Sequence, residues 1–276
     1  MSDTPLTLRF YGTRGSCPAP YEDRLAFGGN TACASLRCGD TWVVLDAGTG
    51  IIALGDDIRR AVHISGRDAG EFSVLILLSH LHLDHITGLP MFLPRLPKGI
   101  RVTIGCACPD FENSLNELFR PPYWPVTLRY LCPQLRFVQL DADTPAQPED
   151  GITVLPVPSN HPDGTHLYRV GLRGRTVCWG LDCELTPACR ARYLAFARDC
   201  DVLLFDGTYT PQDYPRCRGF GHSPYTLADD LRRDGNVGRV FVLHYEYDYT
   251  DDLLRAEQEN LPDGVSFARE GDEIAL

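Results

Sequence analysis

The sequence predicts an α/β protein, two packed sheets with helices on their outer faces, in a single domain over residues 1–276. Two observations carry that prediction. Strand-like and helix-like stretches interleave twice with no proline-rich linker between the halves, and layering is what lets each apolar face be covered. Apolar runs also end, one after another, in His80, His161, Asp182 and His244, and a further one in Asp206, so a single active face at the strand ends is the economical arrangement. A hydrophobic content of 43% over 276 residues supports a sizeable core.

Taken in order, Leu6 to Tyr11 alternates as a strand and Gly12-Thr13-Arg14-Gly15-Ser16 breaks it. The glycine- and proline-rich segment up to Gly28-Gly29-Asn30-Thr31 reads as loop. Its glycines could cradle a phosphate or simply make tight turns, since neither G-x-G-x-x-G nor a lysine-bearing P-loop is present. Ala34 to Cys38 and Trp42 to Leu45 form a predicted hairpin around Gly39-Asp40. Asp46, just past it, could orient a ligand histidine through its second ring nitrogen, or cap a turn. Ile51 to Val62 has helical spacing of its apolar residues.

The run Phe72 to Leu78 leads into Ser79-His80-Leu81-His82-Leu83-Asp84-His85, three imidazoles and a carboxylate within six residues. A buried strand ending there delivers its ligands onto a loop at the sheet edge, where a metal needs them. Imidazole nitrogen and carboxylate oxygen suit a hydrolytic zinc, manganese or iron site better than a structural one, which favours cysteine.

Beyond Pro90, a short helix over Met91 to Leu96, a strand over Arg101 to Gly105 and a helix over Asp110 to Phe119 are expected. Three prolines then frame Tyr123 and Trp124 in a rigid ridge, either a hydrophobic plug over the core or a stacking platform for a substrate ring. Gln134 to Leu140 and Ile152 to Val157 read as strands around an acidic, proline-bearing loop, and His161 follows the second. A hairpin over Tyr168 to Leu172 and Thr176 to Trp179 places Asp182 at a strand end. Pro187 to Arg198 reads as helix; Val202 to Asp206 and Val240 to Leu243 lead into Gly207-Thr208 and His244.

Composition excludes some partners. A formal net charge of -11 opposes tight binding to a long polyanion, which lysine and arginine must neutralise. A small anionic substrate remains compatible, because a pair of metal ions is itself a strong local positive charge. No apolar run is long enough to cross a bilayer and no basic-then-apolar leader opens the chain, so no membrane partner and a soluble, cytoplasmic protein are expected. The eleven cysteines are odd in number and lack zinc-ribbon spacing, which favours reduced thiols that fill the core.

His80-x-His82-x-Asp84-His85 followed by Gly88-Leu89-Pro90 resembles the signature of the metallo-beta-lactamase-fold hydrolases. The resemblance covers nearly the whole chain, because further family stations follow in the expected order. It implies a four-layer αββα sandwich, two mixed sheets with helices outside. Gly12 to Ser16 and Gly28 to Thr31 look like the opening loops of the ribonuclease Z-like branch, which lie near its active site. The Pro121 to Pro125 ridge is similar to an element of small metallo-hydrolases of that branch, and Gly221-His222-Ser223 matches its Gly-His-Ser station. Carried over station by station, His80, His82 and His161 look like ligands of a first metal and Asp84, His85 and His244 like those of a second, with Asp182 bridging. The implied cofactors are two divalent ions, zinc foremost, with manganese and iron accepting the same ligands. Such a pair acidifies water and clamps an in-line displacement from both sides, so no protein nucleophile is required.

A leaving group still needs a proton or a metal contact. His222 is the candidate for donor or phosphate ligand; otherwise it is a helix-entry histidine beside a capping Ser223. Asp206 is expected to orient His222 or a ligand histidine, and Asp84 is grouped with them as catalytic. His166 is a weaker candidate, and His63 reads as a surface residue.

Where ribonuclease Z enzymes carry His-Glu-Ala-Thr, this chain has Phe205-Asp206-Gly207-Thr208, and no long glycine- and lysine-rich arm is evident. The sequence therefore points to a metal-dependent phosphodiesterase for a small substrate such as a cyclic nucleotide, with Tyr123 and Trp124 near the base. Hydrolysis of a carboxyl ester, lactone or thioester would use the same metals, and a nonenzymatic metal or nucleotide sensor is the reading from another class. A diiron oxidoreductase is disfavoured, because His82 stands where the glutamate of such relatives would be. The habits of the branch imply a homodimer.

Overall fold

The computed structural model describes residues 5–276. Among the described residues, fourteen strands make two seven-stranded sheets. The first contains β1 (Leu6–Gly12), β2 (Cys33–Cys38), β3 (Thr41–Leu45), β4 (Ser73–Leu78), β5 (Arg101–Cys106) and β6 (Arg136–Gln139). The second contains β7 (Ala146–Glu149), β8 (Ile152–Pro158), β9 (His166–Leu172), β10 (Arg175–Gly180), β11 (Val202–Asp206), β12 (Arg239–Leu243) and β13 (Val265–Phe267). The last strand, β14 (Glu273–Ala275), returns to the first sheet and pairs antiparallel with β1.

The two sheets repeat one plan. In the first, β14, β1, β2 and β3 pair antiparallel, and β3, β4, β5 and β6 pair parallel. In the second, β7, β8, β9 and β10 pair antiparallel, and β10 to β13 pair parallel. Because β8 and β10 both run antiparallel to β9, the strands β8, β10, β11 and β12 share a direction. Their carboxyl ends therefore lie along one edge.

Nine α-helices of the described residues complete the layers: α1 (Ile51–Ser65), α2 (Leu83–Ile86), α3 (Leu89–Phe92), α4 (Phe111–Leu118), α5 (Leu128–Leu131), α6 (Arg190–Ala197), α7 (Tyr214–Cys217), α8 (Ala228–Asp234) and α9 (Asp251–Gln258). In α1 the buried Ile51, Leu54, Ile58 and Val62 recur on one face, and Gly66 closes the helix in the left-handed conformation with φ 65°. These side chains pack with Val44, Val74, Ile76 and Phe92 into a core on the outer face of the first sheet. A second core, with Leu8, Phe10, Leu75, Leu77, Trp179, Leu204 and Leu243, fills the space between the sheets. A third joins the second sheet to α6, α8 and α9 through Tyr193, Phe196, Leu203, Leu231 and Leu254. The four-layer arrangement predicted from the sequence is thus present, helix, sheet, sheet, helix.

Differences from the expected elements are local. The acidic loop before Ile152 contains β7, the four residues Ala-Gln-Pro-Glu on the sheet edge, which carry no run of large apolar side chains. The helix expected from Pro187 begins at Arg190. All eleven cysteines are free and eight are buried, as small core side chains. No helix of the described residues is long and apolar enough to cross a membrane.

Candidate metal centre

The site forms where parallel strands stop. Asp46 follows β3 and Ser79-His80 follows β4; His82 is the residue before α2, which carries Asp84 and His85. From the second sheet, His161 follows β8, Asp182 follows β10 and His244 follows β12, while Asp206 is the last residue of β11. At three of these stations the chain turns back through a left-handed residue: φ is 57° at Asp46, 53° at Asp182 and 60° at His244. Non-glycine residues adopt this conformation rarely, and they concentrate at functional sites.

All seven expected ligands converge. His80, His82, His161 and Asp182 form one group of potential ligand atoms, and Asp84, His85 and His244 form another. Asp182 stands between them. Its Oδ2 lies 3.7 Å from His80 Nε2 and 3.5 Å from His161 Nε2, while its Oδ1 lies 3.2 Å from His85 Nε2 and 3.3 Å from His244 Nε2. Asp84 Oδ2 is 3.3 Å from both His85 Nε2 and His244 Nε2.

Hydrogen bonds behind the rings fix which nitrogen faces inward. The Ser79 hydroxyl donates to Asp46 Oδ2 at 2.8 Å, so at 2.9 Å from it His80 Nδ1 must be the donor. His85 Nδ1 donates to Asp46 Oδ2 at 2.8 Å and His161 Nδ1 to the Gly221 carbonyl at 2.9 Å. Thr208 Oγ1 donates to Asp206 Oδ1 and receives His244 Nδ1 at 3.1 Å. His82 points its Nε2 at Asp163 Oδ2, 3.2 Å away, leaving Nδ1 inward.

Five inward ring nitrogens therefore face a common space. Inward nitrogens approach in pairs, His85 and His244 at 3.3 Å and His82 and His161 at 3.4 Å. His80 Nε2 and Asp182 Oδ1 are buried without a hydrogen-bond partner. Ring nitrogens and carboxylate oxygens crowded this closely, with buried polar atoms lacking partners among them, fit divalent cations.

The electrostatics follow from the same crowding. Burial works against charge on His85, but Asp182, Asp84 and Asp46 outweigh it and raise its pKa well above the ordinary histidine range. Burial, reinforced by charge on His85, pushes His80 down. Burial alone would raise Asp182, yet His244, His85 and His80 hold it well below the usual carboxylate range, and His85 and His244 do the same for Asp84.

His222 completes the site on the second-sheet side. Its Nδ1 donates to Asp206 Oδ2 at 2.8 Å, and its ring stacks on His244 with centroids 4.9 Å apart. Burial opposes its charge, but Asp206 prevails and lifts His222 to about 9. Asp206 thus orients His222 directly, and reaches His244 through Thr208. Ser223 is not a helix cap; its hydroxyl donates to the Cys183 carbonyl and accepts from Leu185 N, stitching the His222 loop to the one after Asp182.

Of the opening loops, Ser16 N donates to Asp84 Oδ2 at 2.9 Å, and a Cβ at Gly15 would sit 2.3 Å from His244 Nδ1, so only glycine lets this loop lie against the centre. Buried Arg14 holds the surrounding loops through the carbonyls of Gly28, Arg24, Glu246 and Tyr249.

Tyr123 and Trp124 lie on the ridge beyond a cis Pro121-Pro122 bond. Trp124 packs on the outer core of the first sheet, while Tyr123 is 77% exposed. His166 is buried at the start of β9 and His63 is exposed on α1.

Sequence reasoning missed Ser79, Trp179 and Asp163, which hold the ligands and the carboxylate behind them. Ser79 was discoverable, being adjacent to His80. Trp179, whose indole donates to Asp46 Oδ2 at 2.8 Å from 133 positions away, left no local signal.

Comparison with known proteins gives the family and the fold. A profile of the Beta-lactamase superfamily domain matches residues 41–254. A ribonuclease Z of Thermoplasma acidophilum is 38% identical over 295 residues, covering 91% of this chain and 90% of the relative. Among solved structures, the metallo-beta-lactamase fold protein YhfI of Bacillus subtilis superposes with a TM-score of 0.71 at 18% identity, over 99% of this chain and 100% of the other. A diphosphatase of the PhnP family superposes with a TM-score of 0.67 at 18% identity, over 98% of each chain.

Proposed function

We propose a reaction for a chain that belongs to the beta-lactamase superfamily: hydrolysis of a small phosphodiester such as a cyclic nucleotide. The chain is a metal-dependent hydrolase of the ribonuclease Z-like metallo-hydrolases. The observation that carries the narrower reading is the pairing of a two-sided carboxylate, Asp182, with a separate proton carrier, His222, backed by Asp206.

In this reading His80, His82 and His161 hold one divalent cation and Asp84, His85 and His244 a second, with Asp182 shared; zinc, manganese and iron all suit these donors. When bound, such cations acidify a water and offset negative charge on a phosphoryl oxygen. The protein's own residues do the rest. Asp46, Thr208 and the Gly221 carbonyl hold His85, His244 and His161 by their outer ring nitrogens, so that the other nitrogen of each ring is aimed at the cation sites. His222, protonated at neutral pH through Asp206, holds a proton on Nε2 for the departing alkoxide. The exposed Tyr123 is the candidate platform for the nonreacting ring, with Trp124 anchoring it to the core.

A small substrate is favoured over transfer RNA by the net charge of -11 and by Phe205-Asp206-Gly207-Thr208 in place of the branch's His-Glu-Ala-Thr element. The test incubates metal-loaded protein with cyclic nucleotides, bis-p-nitrophenyl phosphate, a lactone and a 3′-extended transfer RNA. Turnover of a cyclic nucleotide supports the reading. Turnover of the lactone alone, or of the transfer RNA alone, overturns it.

A further inference from the structure

Glu184, two residues beyond the bridging Asp182, is only 6% exposed and makes no ion pair with any described basic side chain. A buried carboxylate without a cation is costly unless its lone pairs are filled. Here they are filled by one turn. Gly219 N donates to both oxygens, at 3.0 and 2.8 Å, Gly221 N reaches Oε2 at 3.3 Å, and the Tyr214 hydroxyl reaches Oε1 at 3.0 Å.

That turn is part of the centre. Gly219 and Gly221 have φ of 88° and 90°, the conformation glycine tolerates and other residues resist. The Gly221 carbonyl receives His161 Nδ1, and a Cβ on Gly221 would lie 2.3 Å from that nitrogen, so ring and backbone are in direct contact. His222 is the next residue. From the other side, Glu184 N donates to the Asn160 carbonyl at 3.0 Å and Asn160 Nδ2 donates to the Glu184 carbonyl at 2.7 Å, fixing the residue before His161. One residue therefore grips His161 twice, through its neighbour and through its hydrogen-bond acceptor. The opposite ligand set is held by other groups: His85 by Asp46, His244 by Thr208 and Asp84 by Ser16.

We propose that Glu184 is a positioning residue whose carboxylate sets the 219–222 turn, and through it His161 and His222, so that it controls one cation site selectively. This rests on the reading that the centre holds two divalent cations. A glutamine at 184 keeps the volume but offers one acceptor oxygen and turns an NH2 group toward backbone N–H donors, which releases the turn.

The experiment is zinc binding by competition with a chelator, comparing wild type with E184Q, each checked for folding by circular dichroism. Expected is one zinc held as in wild type and one weakened 10- to 100-fold, the scale seen when a group orienting a ligand histidine is removed. In a H161A background E184Q should add nothing further, because its effect runs through His161. Two zinc ions held as tightly as in wild type, or both weakened equally, overturn the proposal. If E184Q does not fold, Tyr214→Phe decides: it should weaken the same single zinc 2- to 5-fold, and unchanged binding overturns the proposal. A wild-type protein that takes up no zinc, manganese or iron rejects the metal reading itself, a different outcome from any of these.

Discussion

Asp46 Oδ2 accepts the Nδ1 proton of His85 at 2.8 Å while taking no place among the inward-facing ligands. The same oxygen receives Ser79 Oγ and Trp179 Nε1, each at 2.8 Å, and Ser79 N donates to Oδ1 at 2.7 Å. One fully buried carboxylate thus orients His85 directly and His80 through Ser79, and joins the two sheets through Trp179. Asp46→Asn should lower zinc affinity 10- to 100-fold, as read by chelator competition. Asp46→Ala also strands buried donors and should destabilise the fold by about 3 kcal/mol in urea unfolding. Unchanged zinc affinity in both variants would reject this role.

Asp182 faces both ligand sets, so its loss should differ in kind from the loss of any single imidazole. Asp182→Ala is expected to release both cations, leaving less than one per chain after gel filtration. His161→Ala should retain about one. Elemental analysis of the two variants side by side checks the contrast, and retention of two ions by the Asp182 variant contradicts it.

The His222–Asp206 pair has a pH signature in cation-free protein. Asp206 lifts His222 to about 9, above the unfolded histidine value near 6.5. The stability it contributes is fully present below about pH 6.5 and is lost as pH rises through about 9. Asp206→Asn should return His222 to the ordinary histidine range or lower and remove that dependence. Histidine NMR titration and melting temperatures at pH 6 and 9.5 read both. In loaded enzyme the nearby cations repel the His222 proton, so the alkaline limb of the rate should fall below pH 9.

Cys189 provides a second pH test, on a thiol rather than an imidazole. Its thiol is lowered to about 5, chiefly by a hydrogen bond with Cys183, with Thr186 N donating to its sulfur at 3.3 Å. Because the thiolate is the nucleophile, alkylation at Cys189 should level off above about pH 6. Iodoacetamide labelling resolved by peptide mass spectrometry gives the profile. A rate still climbing between pH 7 and 9 at this residue refutes it.

Much of this centre could be read from the chain because each ligand follows an apolar strand, a local pattern that survives without any knowledge of contacts. His80, His161, Asp182 and His244 were visible for that reason, and the His-x-His-x-Asp-His spacing pointed to the family. Glu184 and Trp179 were not, since their importance lies in which distant backbone or carboxylate they meet. The edge strands were equally silent: β7, β13 and β14 are three or four residues long, too short for alternation to emerge.

The left-handed turns at Asp46, Asp182 and His244 restrict how this centre can be re-engineered or can drift. A β-branched or bulky replacement at any of the three would be penalised by its own backbone before its chemistry mattered, by about 1–2 kcal/mol. Libraries built at these positions should therefore return asparagine and glycine among the folded clones, leaving chemical novelty to arise at His82, whose backbone is extended with φ -62° and ψ 147°.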